Sequence, residues 1–352
     1  MTGGAPRTDW SRVAGLVAVV LAVAALVTLV LIPRLANVIL LLFAAVLFAI
    51  LLDAPVRLLR TRFRVPQPIG VSGVALALAA ALGLLGWLGE AQIAKQLGTL
   101  IDRLPGALGA LREQIEQSPW GRALLRRADW PRELVGDPTA WFQRVTGIFS
   151  GTFGTLANAA LIVVIGFYLA IRPSLYTTGV ARLVPRSRRA RAREVLKALG
   201  QALRWWLLGR IISMAAIGML TALALWMIEM PLALGLGFIA GVLSFVPFIG
   251  PILSAIPAVL IALLQGPWQV VSVMLVYVAV QFIEGNIVTP MTQERVVALP
   301  PAVLLLSQVL MGSLFGLIGL FLATPLAVVV IVLIQTLYIE DVLQEPVRVL
   351  GK

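Results

Sequence analysis

The chain has no cysteine and no histidine among its 352 residues. Their absence removes disulfide frameworks, thiolate or imidazole metal sites, a cysteine nucleophile and a histidine base. Zinc peptidases, haem proteins and Ser-His-Asp hydrolases are thereby excluded. Charge is scarce as well: 12% of residues are charged against 60% apolar, and mean hydropathy is +0.99. Soluble domains carry roughly a quarter charged residues, which they need to cover their surface. So few charges imply a polytopic membrane protein. No segment shows the strand alternation of a membrane barrel, so the expected fold is all-α. The loop pattern G-x-x-x-x-G-K-[ST] is missing too, which leaves the chain without an ATP site of its own. Gly235, Gly237 and Ala240 fit a dinucleotide-binding pattern, but inside an apolar run with no strand before it, so the match is accidental.

The net charge of +12 is unevenly spread: segment 172–210 holds an excess of nine positive charges and segment 53–64 an excess of three. Segment 90–144 is nearly neutral, with eight Lys/Arg against seven Asp/Glu. Basic clusters in short segments around a balanced one mark the cytoplasmic side of a membrane protein. This assigns both termini and residues 172–197 to the cytoplasm and residues 90–150 to the outside. The basic residues meet anionic lipid of the inner leaflet, and the pattern does not call for nucleic acid.

Apolar runs at 13–32 and 35–52, separated by Pro33-Arg34, predict a helical hairpin, and a third span follows at 69–89. Together these form an N-terminal unit, residues 1–89. Residues 90–150 form a small extracytoplasmic helical unit. In it Ile93, Leu97, Ile101, Leu104, Leu108, Leu111 and Ile115 share one helical face, and Trp120, Trp130 and Trp141 suit a membrane interface. Residues 151–352 form a C-terminal core with a basic loop at 172–204. Its spans are expected at 155–171, from about 205 to 228, at 232–264, at 270–288 and at 302–337. The total is about eight membrane elements.

Two of these runs are interrupted. The first breaks at Pro247-Phe248-Ile249-Gly250-Pro251 and the second near Thr324-Pro325. Backbone groups freed by Pro and Gly are tolerated in a membrane only where protein or a wet cavity satisfies them. A pair of interrupted spans is the best sequence pointer to a transporter's binding site, the bland alternative being a structural kink. Between the breaks lie Gln281, Glu284, Asn286, Thr289 and Pro290. Glu284 reads equally as an interfacial anchor, a hydrogen-bonding support for a helix break, or a protonatable coupling group. Arg210 reads as a snorkelling charge or a second coupling candidate. Gly237/Gly241 and Gly312/Gly316 are spaced for close helix packing.

The run from Gly241 through Pro247-Phe248-Ile249-Gly250-Pro251 resembles the first motif of the autoinducer-2 exporter family of bacterial membrane transporters. Gln281-Phe282-Ile283-Glu284-Gly285-Asn286 with Thr289-Pro290 resembles its second, and Pro300 with Phe315-Gly316 through Pro325 its third. Ser244 stands where the family usually has Asn, and Ala298-Leu299-Pro300 where a histidine-containing run is usual. The resemblance implies a multi-pass protein of the cytoplasmic membrane that exports a small polar solute similar to autoinducer-2. It also implies that the protein is not an enzyme, has no cofactor or metal, works without ATP, and forms a homo-oligomer such as a pentamer. The solute pathway would then be lined by Pro247, Gly250, Pro251, Gln281, Glu284, Asn286, Thr289, Pro290 and Pro325, with Glu284 and Arg210 as coupling candidates. Two other readings compete: sodium/proton antiport through Glu284, and a non-transporting scaffold that recruits a partner through residues 90–150.

The charge pattern predicts reactivity in this Cys-free chain. A Gln117→Cys protein should react with an impermeant maleimide in whole cells, and a Ser187→Cys protein only after lysis. The reverse pattern would overturn the assigned orientation.

Overall fold

A computed structural model describes the backbone of residues 10–89, 117, 152–293 and 300–345, and the side chains of 34–80, 117, 157–291 and 300–345. The amphipathic face 93–115, the three tryptophans after it and the unit 90–150 lie outside the described residues, Gln117 excepted. The described residues are mostly helical, with no strand among them. The all-α expectation therefore holds. Four helical stretches are long and apolar enough to cross a membrane: Arg34–Phe63, Arg186–Met227, Pro267–Met291 and Pro301–Glu340. A fifth counts if the bent pair Ala157–Ile171 and Pro173–Arg182 is one span.

The N-terminal unit departs from expectation. Helix α1 (Trp10–Phe63) runs unbroken through Pro33-Arg34, where a hairpin was expected. A proline inside a helix removes one backbone bond. Opening a turn within lipid would free several groups at once, at several kcal/mol each by order of magnitude. The continuous rod is the cheaper solution. With one rod in place of two spans, the crossings before residue 90 no longer assign the side of the amino terminus. Helix α2 (Gln67–Gly89) folds back after Arg64, whose φ of 55° makes the turn. Leu52, Val56, Val71 and Ala170 then form one buried cluster with α3 (Thr152–Ile171). The closest approach is at Gly166, where an added Cβ would lie 2.7 Å from the Ala45 carbonyl oxygen.

The basic segment is helical, not a loop. Pro173 ends α3 and opens α4 (Pro173–Arg182), which leaves at 88°. Proline suits the first position of a helix because its missing N–H would be unpaired there anyway. After a short 3-10 turn at Arg186–Arg188, α5 (Arg189–Met227) continues from the basic region straight into the apolar span. It is 39 residues long, about 58 Å at 1.5 Å per residue, and the rest of the core packs around it. Arg204 pairs with Asp53 of α1, and Arg191 pairs with Glu340 and Asp341 near the C-terminus.

Helices α6 (Ala233–Leu243) and α7 (Ile249–Leu263) have 11 and 15 residues. At 1.5 Å per residue neither reaches across a hydrocarbon layer of about 30 Å. They form a hairpin whose turn lies at the expected Pro247–Pro251 break. An added Cβ on Gly250 would run into the Leu243 carbonyl, so the two arms touch backbone to backbone. On α6, Gly237 and Gly241 pack on Ala222 and Gly218 of α5, which is the close-packing role expected of that pair. The arms also share a core with Leu225, Val273 and Tyr277. Helix α8 (Pro267–Ile283) follows, then a π-helical turn at Glu284–Val288 and the short α9 (Thr289–Gln293).

In α10 (Pro301–Leu333) the break lies at Gly316, not at Thr324-Pro325. Gly316 has φ 60° and ψ −141°, a region that side chains rarely enter. Gly319 comes against the Met311 carbonyl and the Phe315 side chain. In a straight helix, residues eight apart would be about 12 Å apart along the axis, so the chain folds back into a second hairpin. Gly316 is therefore the hinge of that hairpin and not a packing partner of Gly312. Pro325 is carried, fully buried, within the second arm.

The backbone contact at Gly250 makes a testable claim. Gly250→Ala should lower the thermal unfolding midpoint of the detergent-solubilised protein, by about 1–3 kcal/mol of overpacking. Gly179→Ala, with nothing within 4 Å of the new methyl, should not. Equal midpoints for the two would show that the hairpin arms are not in contact.

Candidate functional site

The two isolated charges of the apolar core meet each other. Arg210 of α5 is 4% exposed, and its Nη1 lies 3.6 Å from Glu284 Oε1, whose side chain is 12% exposed. Arg210 Nε also donates to the Phe245 carbonyl at 3.1 Å. Phe245 stands in the turn of the first hairpin, where the helical bonding has stopped and a carbonyl is free to accept. The guanidinium thus ties three elements together: α5, the hairpin tip and the π turn. Gln281 lies one turn before Glu284 and is half-buried.

The local backbone explains the placement of Glu284. Glu284–Val288 is wound as a π turn, a form that concentrates at functional sites because it shifts side chains off the α-helical register. The hairpin tip is strained as well: Phe248 is a non-glycine residue with φ 64° and ψ −53°. Such conformations cost about 1–3 kcal/mol and persist where the surroundings hold them. The Phe245 ring supplies part of that hold. It meets Trp206 edge-on at 5.7 Å and Phe321, from the second arm of α10, at 5.6 Å. Both hairpins therefore reach the same place beside α5.

The expected pathway residues separate into two groups. Pro247 is half-buried in the tip, and Gly250 and Pro251 are buried at the start of α7. Glu284 joins Arg210, with Gln281 half-buried one turn before it. Asn286 is exposed and its amide donates to the Phe282 carbonyl of its own helix, at 2.9 Å. Thr289 is half-buried and Pro290 exposed at the start of α9. Pro325 is buried in the arm behind Phe321, away from the break it was expected to make. Sequence reasoning missed Phe245, whose contribution is a main-chain oxygen and an apolar ring. It also missed Gln308, a glutamine 1% exposed within an apolar run. Among the described residues both amide atoms of Gln308 lack a hydrogen-bond partner, as does Arg210 Nη2. A buried unpaired polar atom costs about 1–3 kcal/mol, so these atoms are not there for stability.

The site's electrostatics can be tested by unbalancing it. Glu284→Gln leaves the Arg210 charge buried without its counterion and should destabilise the protein by about 3–5 kcal/mol. Adding Arg210→Met should recover part of that loss, since a neutral pair has no charge to compensate and only the Phe245 carbonyl is left without its donor. Additive losses in the double variant, measured by thermal unfolding in detergent, would show that the two groups do not interact.

A family model described as AI-2E family transporter matches residues 16–339. Two proteins of Bacillus subtilis (strain 168) that bear provisional transport names are similar to the chain. YrrI is 29% identical over 208 residues, 56% of this chain and 59% of its own length. YueF is 24% identical over 304 residues, 82% of this chain and 81% of its own. The AI-2 transport protein TqsA of Escherichia coli (strain K12) is 31% identical over 120 residues, 33% of this chain and 35% of its own. The matched interval takes in the whole of α2 through α10 together with the Arg210–Glu284 site, and the chain belongs to the AI-2E transporter family.

Proposed function

We propose that this transporter exports a small polar solute of the hydroxylated furanone kind through the bacterial cytoplasmic membrane, without ATP hydrolysis. Its C-terminus and basic helical segment 172–197 face the cytoplasm in this reading. The observation that carries it is the convergence of two hairpins at Phe245, beside a buried ion pair, the first with arms too short to span. A hairpin tip inside the membrane brings free backbone groups to a place where they need a polar partner. A passing polar solute can be that partner. Similarity to a protein named for AI-2 transport supports the furanone class.

The same geometry weighs against sodium/proton antiport. A coupling carboxylate has to exchange its cation, whereas Glu284 already faces the Arg210 guanidinium. A guanidinium at 3.6 Å repels an arriving sodium ion and competes with it for the carboxylate. A scaffold role leaves the two hairpins and the strained tip without purpose.

Reconstitution into proteoliposomes separates these readings. The purified protein should release a radiolabelled hydroxylated furanone from loaded vesicles at least tenfold faster than protein-free vesicles do. A pH-sensitive dye inside the vesicles should show no response to added sodium. A sodium-dependent dye response without furanone release would replace export by antiport. In cells, a deletion strain should retain the furanone that its parent secretes.

A further inference from the structure

We propose that Gln308 is a solute-recognition residue, and that it selects neutral hydroxylated or hydroxycarbonyl solutes over cations. The inference rests on the transport reading above and narrows its substrate class. Gln308 lies in the middle of the first arm of α10, where Leu305, Leu306, Val309 and Leu310 are exposed while Gln308 is 1% exposed. Seven residues on, Phe315 lies on the same helical face, with Met311 beside it. Met311 and Phe315 pack, as Phe245 does, on the cluster that contains Trp206 and Leu207. Gln308 is thus on the face of α10 that looks inward to α5 and the first hairpin tip, one turn farther from the Gly316 hinge than Met311.

The chemistry of the unpaired atoms defines what would fit. An amide offers an acceptor oxygen and a donor NH2 side by side. In Gln308 both are unpartnered among the described residues, and on the neighbouring helix α5 so is Arg210 Nη2, a donor only. A ligand that satisfies the amide must donate one hydrogen bond and accept another. A hydroxyl does both, and a hydroxyl next to a carbonyl adds a second acceptor. A metal cation could use the amide oxygen alone and would leave the NH2 unpaired. A purely apolar ligand would satisfy neither atom. A buried glutamine in this state is costly to the fold, which a residue under selection for packing alone would not retain.

Gln308→Met tests the idea, because methionine has nearly the same length and shape and no polar requirement. The variant should fold in the membrane with an unchanged or higher thermal midpoint. Its release of radiolabelled hydroxylated furanone from proteoliposomes should fall at least tenfold. A folded Gln308→Met protein with wild-type release overturns the proposal. A second measurement does not depend on the furanone. In the Cys-free chain, Gln308→Cys should react with a small charged thiosulfonate reagent added to the vesicles, and Leu306→Cys on the exposed face should not. If the wild-type protein releases no furanone, the furanone reading fails, while reaction at position 308 still supports a polar solute site there. An unreactive Gln308→Cys protein marks the position as dry packing and overturns the recognition role.

Discussion

The structure depends on one contact above the others: the Arg210 guanidinium, held between Glu284 and the Phe245 carbonyl. Each of the three groups would be costly in an apolar core without the others. A lone arginine or glutamate at membrane depth is expensive, and a carbonyl in a non-helical turn has lost its own partner. Joined, they cancel one another's cost and fasten the hairpin tip to the long helix α5. The contact explains why the first hairpin can end inside the core at all. It also explains why Glu284 sits on a π turn, since one extra residue in the winding changes the direction a side chain takes from the helix.

Around this contact the backbone follows from the solvent. Lipid offers no hydrogen bonds, so the chain either stays helical or breaks only where protein surrounds the break. The continuity of α1 through Pro33 and the two enclosed hairpins are two outcomes of that rule. Packing cannot draw on a water-driven hydrophobic effect between helices, and small residues take its place. Gly218, Gly237 and Gly241 let α5 and α6 touch backbone to backbone. Gly166 does the same for α3 against α1.

Much of this was legible in the sequence where a residue type has a single physical meaning. Arg210 and Glu284 were conspicuous as charges in apolar surroundings, and the cluster Pro247-Phe248-Ile249-Gly250-Pro251 could hardly be a helix interior. Their meeting was not legible, because no periodicity links positions so far apart in the chain. The misreadings share a cause: proline was weighted over glycine. Pro33 and Pro325 stand inside helices because one missing bond is tolerable when the neighbours stay paired. Gly316, with nothing to mark it but its lack of a side chain, makes the second hinge through a positive φ. The basic segment 172–204 was read as a loop from charge alone, yet arginine is a good helix former and the segment is mostly helical. Gln308 escaped notice since a neutral amide barely disturbs hydropathy.

Among the described residues three arginines of α5 form ion pairs, and they differ in a way that bears on how the hairpins move. Arg191 and its partner Glu340 are 26% and 29% exposed, Arg204 and Asp53 are 20% and 19%, and Arg210 and Glu284 are 4% and 12%. Burial therefore deepens along the helix from its basic end toward the hairpin tips. Exposed pairs are worth little, because water screens the charges and solvates them when they part. A buried pair broken without replacement leaves two uncompensated charges, which is strongly unfavourable. Parting Arg191 from Glu340 is thus cheap, whereas parting Arg210 from Glu284 and the hairpin tip is not. For the tip to move, something polar must stand in for the Phe245 carbonyl and Glu284 as they leave Arg210. A solute with acceptor oxygens meets that demand and an empty site does not. In the proposed export role the polar solute supplies that stand-in, which ties opening at the tip to its presence.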